Sequence, residues 1–104
     1  MTKNFNELIN SETPVLVDFS AEWCGPCKMM TPILEQLKST MGDSIKIIKI
    51  DVDSNQELSS KYNIRNVPTL KVFQNGKEKW SGAGVRQADN LAAIIRESCE
   101  FVTL

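Results

Sequence analysis

Apolar residues recur along the chain in two rhythms, one helical and one extended. Asn4, followed three residues later by Glu7, has the spacing of a helix start, and Phe5, Leu8 and Ile9 supply its apolar face before Pro14 closes it. Val15 to Ser20 is a nearly continuous apolar run, the pattern of a strand buried inside a sheet. Met30, Ile33, Leu34, Leu37 and Met41 then keep helical spacing, with Pro32 expected to bend that helix and Gly42 to end it. Ile45 to Val52 reads as a second buried strand. Ser54 with Glu57 forms a capping box opening a short helix that carries Leu58 and Tyr62. Thr69 to Gln74 and Lys77 to Ser81 flank Asn75–Gly76, the two-residue turn of a β-hairpin whose central positions both need positive φ. A last helix places Leu91, Ile94, Ile95, Ser98, Cys99 and Val102 on one stripe. The order helix, strand, helix, strand, helix, hairpin, helix predicts an α/β fold, a mixed sheet with helices on both faces.

Composition narrows what such a fold does. The 104 residues suffice for one domain with a real core, and no repeat, low-complexity tract or linker divides them. A net charge of −1 gives no electrostatic basis for binding nucleic acid or an anionic membrane. No apolar run approaches the ~20 residues of a bilayer span. The first ten residues lack the apolar stretch of a signal peptide, so a reducing cytoplasm is the expected compartment. Histidine is absent, which removes Ser–His and Cys–His dyads and most metal sites. Three cysteines, Cys24, Cys27 and Cys99, are too few for a disulfide framework or a structural zinc site.

Special chemistry therefore rests on thiols, carboxylates, lysines or backbone. Trp23–Cys24–Gly25–Pro26–Cys27 sits where a buried strand gives way to a helix. A helix N-terminus offers unpaired N–H groups and the positive end of its dipole, which stabilise a thiolate. Cys24, at or just before the first turn, is expected to be the acidic, exposed thiol. Cys27 lies within one turn, close enough for a disulfide but more buried. Pro26 suits an early helical position because it has no N–H to leave unpaired, and Lys28 adds positive charge. Asp18 either faces out beside Leu16 and Ser20 as a solvated strand residue or, since a strand this apolar is usually covered on both faces, is buried, where its carboxyl pKa rises and suits it to accept a proton. Lys49 is either a lysine snorkelling from a strand face or a partner of that carboxylate. Cys99 lies on the apolar stripe of the last helix, which favours a small buried hydrophobe over a regulatory thiol or a dimer disulfide.

AEWCGPCK (Ala21 to Lys28) resembles the active-site motif of the thioredoxin family. VDF before it, KIDVD (Lys49 to Asp53), KYNIRNVPTL (Lys61 to Leu70) and FQNGK (Phe73 to Lys77) resemble segments of that family in the same order. The resemblance implies a thioredoxin fold: one domain over residues 1–104, with a central mixed sheet of about four strands flanked by four helices. It implies a thiol–disulfide oxidoreductase that reduces protein disulfides, with Cys24 as nucleophile, Cys27 as resolving thiol and Asp18 as acid/base for Cys27. Lys49 would lie near Asp18 and modulate it. Pro68 would be a cis-proline facing the disulfide, and Val67 would offer its backbone to an extended substrate. Trp23, Gly25, Pro26, Val67, Gly82 and Ala83 would form a shallow apolar groove around Cys24. No bound cofactor or metal is implied. Electrons would come from NADPH through a thioredoxin reductase, and the partners would be that reductase and disulfide-containing clients of a monomeric protein. Two other readings stand beside this one: an oxidant or isomerase, and a non-catalytic binding module on the same fold. Gly25–Pro26 between the cysteines resembles reductants, and the intact pair with Asp18 argues against a module.

Four positions depart from the family pattern. The first helix begins at Asn4, so the opening edge strand is missing or vestigial. Ser20 stands where an aromatic is common, and Asn66 replaces a frequent glycine. Trp80 on the hairpin is either an exposed patch or a substitute for missing packing.

Overall fold

The computed structural model describes residues 4–101. Asn4 caps helix α1 (Phe5–Ile9), its side-chain oxygen accepting the Glu7 N–H at 2.9 Å. Asn10 ends that helix well before Pro14, which instead leads into strand β1 (Val15–Ser20). Helix α2 (Gly25–Met41) continues through Pro32 and stops at Gly42, which adopts a φ of +55° and opens a single 3₁₀ turn (Gly42–Ser44). Lys38 folds over that end and donates to the carbonyls of Gly42 and Ile45 at 2.8 and 2.7 Å. Strand β2 (Lys46–Asp51), helix α3 (Gln56–Lys61), strands β3 (Thr69–Gln74) and β4 (Lys77–Ala83) and helix α4 (Ala88–Ser98) complete the chain. Val102, expected on the stripe of the last helix, lies outside the described residues.

The sheet runs in the order β2-β1-β3-β4, with β1 parallel to β2 and antiparallel to β3, and β3 antiparallel to β4. This is the mixed four-stranded sheet with helices on both faces that the element order predicts. Alternation along β1 divides the core. Leu16 packs with Met30, Leu37, Leu70, Val72, Leu91 and Ile95 under α2 and α4. Val15, Val17 and Phe19 pack with Ile9 and Phe73 on the other face, joined by Phe5, Leu58 and Tyr62 from α1 and the α3 region. Fully burying such side chains contributes roughly 1.5–3 kcal/mol each. No helix among the described residues is long and apolar enough to cross a membrane.

Three local expectations are corrected. β2 is an edge strand with its residues half-buried or exposed, because the crossover from α2 places it outside β1, where only one neighbour covers it. The Ser54–Glu57 capping box does not form. Ser54 Oγ donates to Asp51 Oδ2 at 3.2 Å, and Asn55 becomes the N-cap of α3. Tyr62 is the C-cap rather than a member of that helix, and its ring joins Phe5, Phe19 and Phe73 in an aromatic cluster with centroids 5.3–6.3 Å apart. In the hairpin, Asn75 and Gly76 take the positive φ values the turn needs, and β4 continues beyond Ser81 to Ala83. Trp80 does not stand as a bare patch: it packs half-buried against the α2–α4 core.

Candidate active site

β1 ends at Ser20, and the chain turns through Ala21 to Cys24 before α2 begins. That turn is closed by the Cys24 N–H donating to the Ala21 carbonyl at 3.2 Å. Cys24 is the N-cap of α2, and its Sγ accepts the Cys27 N–H at 3.1 Å. A sulfur thus occupies the place an N-cap oxygen usually takes, at the positive end of a 17-residue helix. Pro26 stands in the first turn, where its missing N–H leaves nothing unpaired. Cys24 and Cys27 are joined as a disulfide, with their Cα atoms 5.3 Å apart, inside the range such bonds span.

Cys24 is not the exposed thiol that its position suggests. It is 4% exposed and Cys27 2%, because Ala21, Val52 and Val67 pack around the pair. The exposed neighbours are Trp23, Gly25 and Pro26. Trp23 is 71% exposed, yet its Nε1 donates to Asp53 Oδ2 at 2.8 Å, which fixes the ring beside the disulfide. That link was not visible in the sequence. Its only sign was a carboxylate following a strand end at Asp51 and Val52.

Asp18 shares the face of β1 occupied by Leu16, and therefore points toward α2. It is 1% exposed, and its Oδ1 has no hydrogen-bond partner among the described residues. Burial pushes its carboxyl up to about 6, with the Lys49 ammonium opposing. Lys49 is its register partner on β2. Lys49, Ser20, Asp51, Lys28 and Cys27 line one cleft of about 590 Å³, so the cleft joins Cys27 to the lysine paired in register with Asp18.

On the other side of the disulfide, the Val67–Pro68 bond is cis, and the Val67 carbonyl oxygen lies 3.6 Å from Cys24 Sγ. Pro68 is buried and directs its carbonyl to the Gly84 N–H at 2.8 Å. Ala83 pairs with Thr69, next to that contact. Gly82 is a register step farther away, opposite Leu70, and is covered by Trp80 and Arg86. The glycine brought to the cis-proline is therefore Gly84, whose φ of +90° also requires glycine. Cys99 is buried at the end of α4, and burial pushes its thiol up while the Ser98 hydroxyl, 3.8 Å away, opposes. It lies in the α2–α4 core and takes no part in the site.

With the geometry in place, comparison with known proteins is direct. The family model described as Thioredoxin matches residues 1–97. A thioredoxin of Rickettsia bellii is 44% identical over 97 residues, covering 92% of either chain. A thioredoxin of Bacillus subtilis is 46% identical over 87 residues, covering 84% of either chain. Among solved structures, a mutant thioredoxin from Halobacterium salinarum NRC-1 superposes with a TM-score of 0.83 at 36% identity, covering 99% of this chain and 89% of that one.

Proposed function

This chain belongs to the thioredoxin family of thiol–disulfide oxidoreductases and is a protein-disulfide reductase, and from that premise we propose how its own residues divide the work. Cys24 is the nucleophile. Its thiolate, held at the N-terminus of α2 with the Cys27 N–H directed at it, attacks one sulfur of a client disulfide in line. A mixed disulfide forms and the second client sulfur leaves as a thiolate. Cys27 then loses its proton to the Asp18 carboxylate and attacks Cys24 Sγ. The Cys24–Cys27 disulfide closes, and the client departs with two electrons more and one disulfide fewer.

The observation that carries this reading is the disulfide built into the first turn of α2, on a face that also holds the buried Asp18. A carboxyl with a pKa near 6 accepts a thiol proton more readily at neutral pH than one at its ordinary value. Lys49 tunes that carboxyl through its charge, opposing the effect of burial. Trp23, Gly25, Pro26, Val67, Pro68 and Ala83 form the surface that receives an extended client segment, with Gly84 completing it and the Val67 backbone as its hydrogen-bonding edge. Gly82 acts from behind that surface. The protein works as one domain over residues 1–104, as a monomer in the reducing cytoplasm, and without a bound cofactor. Electrons return from NADPH through a thioredoxin reductase.

The test couples NADPH, a thioredoxin reductase and insulin, with NADPH consumption as the readout and Cys24→Ser as control. Turnover that disappears in the variant is expected. If the wild-type protein is inactive even with dithiothreitol as electron source, the catalytic reading fails and a binding module takes its place.

A further inference from the structure

β4 is an edge strand, and its last residues carry an unusual side-chain stack. The Arg86 guanidinium lies over the Trp80 ring, 5.1 Å from its centroid. Both rest on Gly82: a Cβ there would come within 2.5 Å of Trp80 Cη2 and 2.9 Å of Arg86 Nη2. The absent side chain is what allows the indole and the guanidinium to lie against the strand. Trp80 is held from below by the α2–α4 core, so its ring is a fixed platform. Stacking uses the face of the guanidinium and leaves its N–H edge free. No carboxylate among the described residues takes that edge, since Lys71–Glu78 is the one ion pair within 4.0 Å.

The stack lies on the strand that meets the cis-proline. Gly82 is one residue from Ala83 and two from Gly84, whose N–H holds the Pro68 carbonyl. Gly82 pairs with Leu70, three residues from Val67, so with strands about 4.8 Å apart and 3.3 Å of rise per residue its backbone stands roughly 10 Å from that of Val67. An extended client segment covers that distance in about three residues.

We propose that Arg86, propped on Trp80 over Gly82, is a specificity determinant that selects client disulfides flanked by an aspartate or glutamate. The inference rests on the reductase reading above. A planar guanidinium with a free edge binds a carboxylate through two parallel hydrogen bonds, and pre-stacking lowers the entropy lost when it does so. A client carboxylate about three residues from the attacked cysteine meets that edge as the segment pairs along Val67.

The experiment uses disulfide peptides in matched pairs, one carrying Glu and the other Gln, scanned from two to five residues on either side of the attacked cysteine. Dithiothreitol supplies electrons, and the readout is the ratio of kcat/KM for each pair in wild type and Arg86→Gln. At the best position the wild-type ratio is expected to favour Glu about three- to fivefold, to fall toward one at high salt, and to be one in Arg86→Gln. A ratio of one at every position in the wild type overturns the proposal, and so does a preference that survives Arg86→Gln. Turnover of the Gln peptides reports separately on the reductase reading, so the two failures are distinguishable.

Discussion

Asp18 is the residue on which chemistry and stability meet most directly. Its carboxyl is fully buried, with one oxygen unpartnered and a single lysine nearby to oppose the desolvation. A carboxyl whose pKa is higher in the folded chain holds its proton more tightly there. It costs nothing where both states are protonated, below about pH 3.8, and it destabilises increasingly as pH rises through about 6. The shift from 3.8 to about 6 corresponds to about 3 kcal/mol of folding free energy lost across that window. Asp18→Asn removes the titration. Denaturant unfolding of the oxidised proteins should show the variant gaining about 2–3 kcal/mol relative to wild type between pH 4 and pH 8. A difference that stays constant over that range would show that the carboxyl is not desolvated as described. The variant should also slow disulfide release, because Asn cannot accept the Cys27 proton.

At the level of elements, most of the secondary structure was readable because local pattern decides it. β1 is a nearly continuous apolar run buried inside the sheet, and the Asn75–Gly76 turn admits only one hairpin, which sets β3 and β4. What escaped was decided by pairing between distant segments. The exposure of β2 follows from the crossover that puts it at the sheet edge, which its own apolar sequence cannot report. The same holds for the glycine at the site. A regular ladder from Gln74–Lys77 would set Ala83 opposite Pro68, but the ladder shifts between Val72 and Phe73. Val72 pairs with Trp80 instead of Lys79, every later pair moves by one, and Gly84 arrives at the proline. The same bulge turns Trp80 toward the α2–α4 core. Gly84→Ala tests this register. A Cβ there meets no neighbour, so the cost is conformational, roughly 1–2 kcal/mol for forcing an alanine to a φ of +90°. Relief of that strain moves the N–H off Pro68, and insulin reduction should fall in kcat/KM while the corresponding Gly25→Ala variant, whose added Cβ also meets open space, keeps its fold. Unchanged thermal stability in Gly84→Ala would contradict the assigned backbone conformation.

Across the whole molecule, the sheet separates two halves with different duties. The face under α2 and α4 carries Asp18, Lys49 and the helix whose N-terminus holds the disulfide. The opposite face is closed by α1 and the α3 region, and its centre is the cluster of Phe5, Phe19, Tyr62 and Phe73. Nothing in that cluster touches the cysteines, so its contribution is to hold the platform from behind. Phe5 is the member that ties α1 to the sheet, with ring centroids 5.3 Å from Tyr62 and 5.7 Å from Phe73, the latter edge-on. Phe5→Ala empties a half-buried aromatic site and should cost roughly 2–3 kcal/mol. For a domain of this size that is a fall in Tm of roughly 10–20 °C. Insulin reduction measured well below the new midpoint should nevertheless keep its wild-type kcat/KM, because Asp18 and α2 lie across the sheet. Thermal melts and initial rates on the same preparation decide the matter. A loss of activity in proportion to stability would mean that the two faces are coupled through β1, and that the aromatic half sets the geometry of the site as well as holding it up.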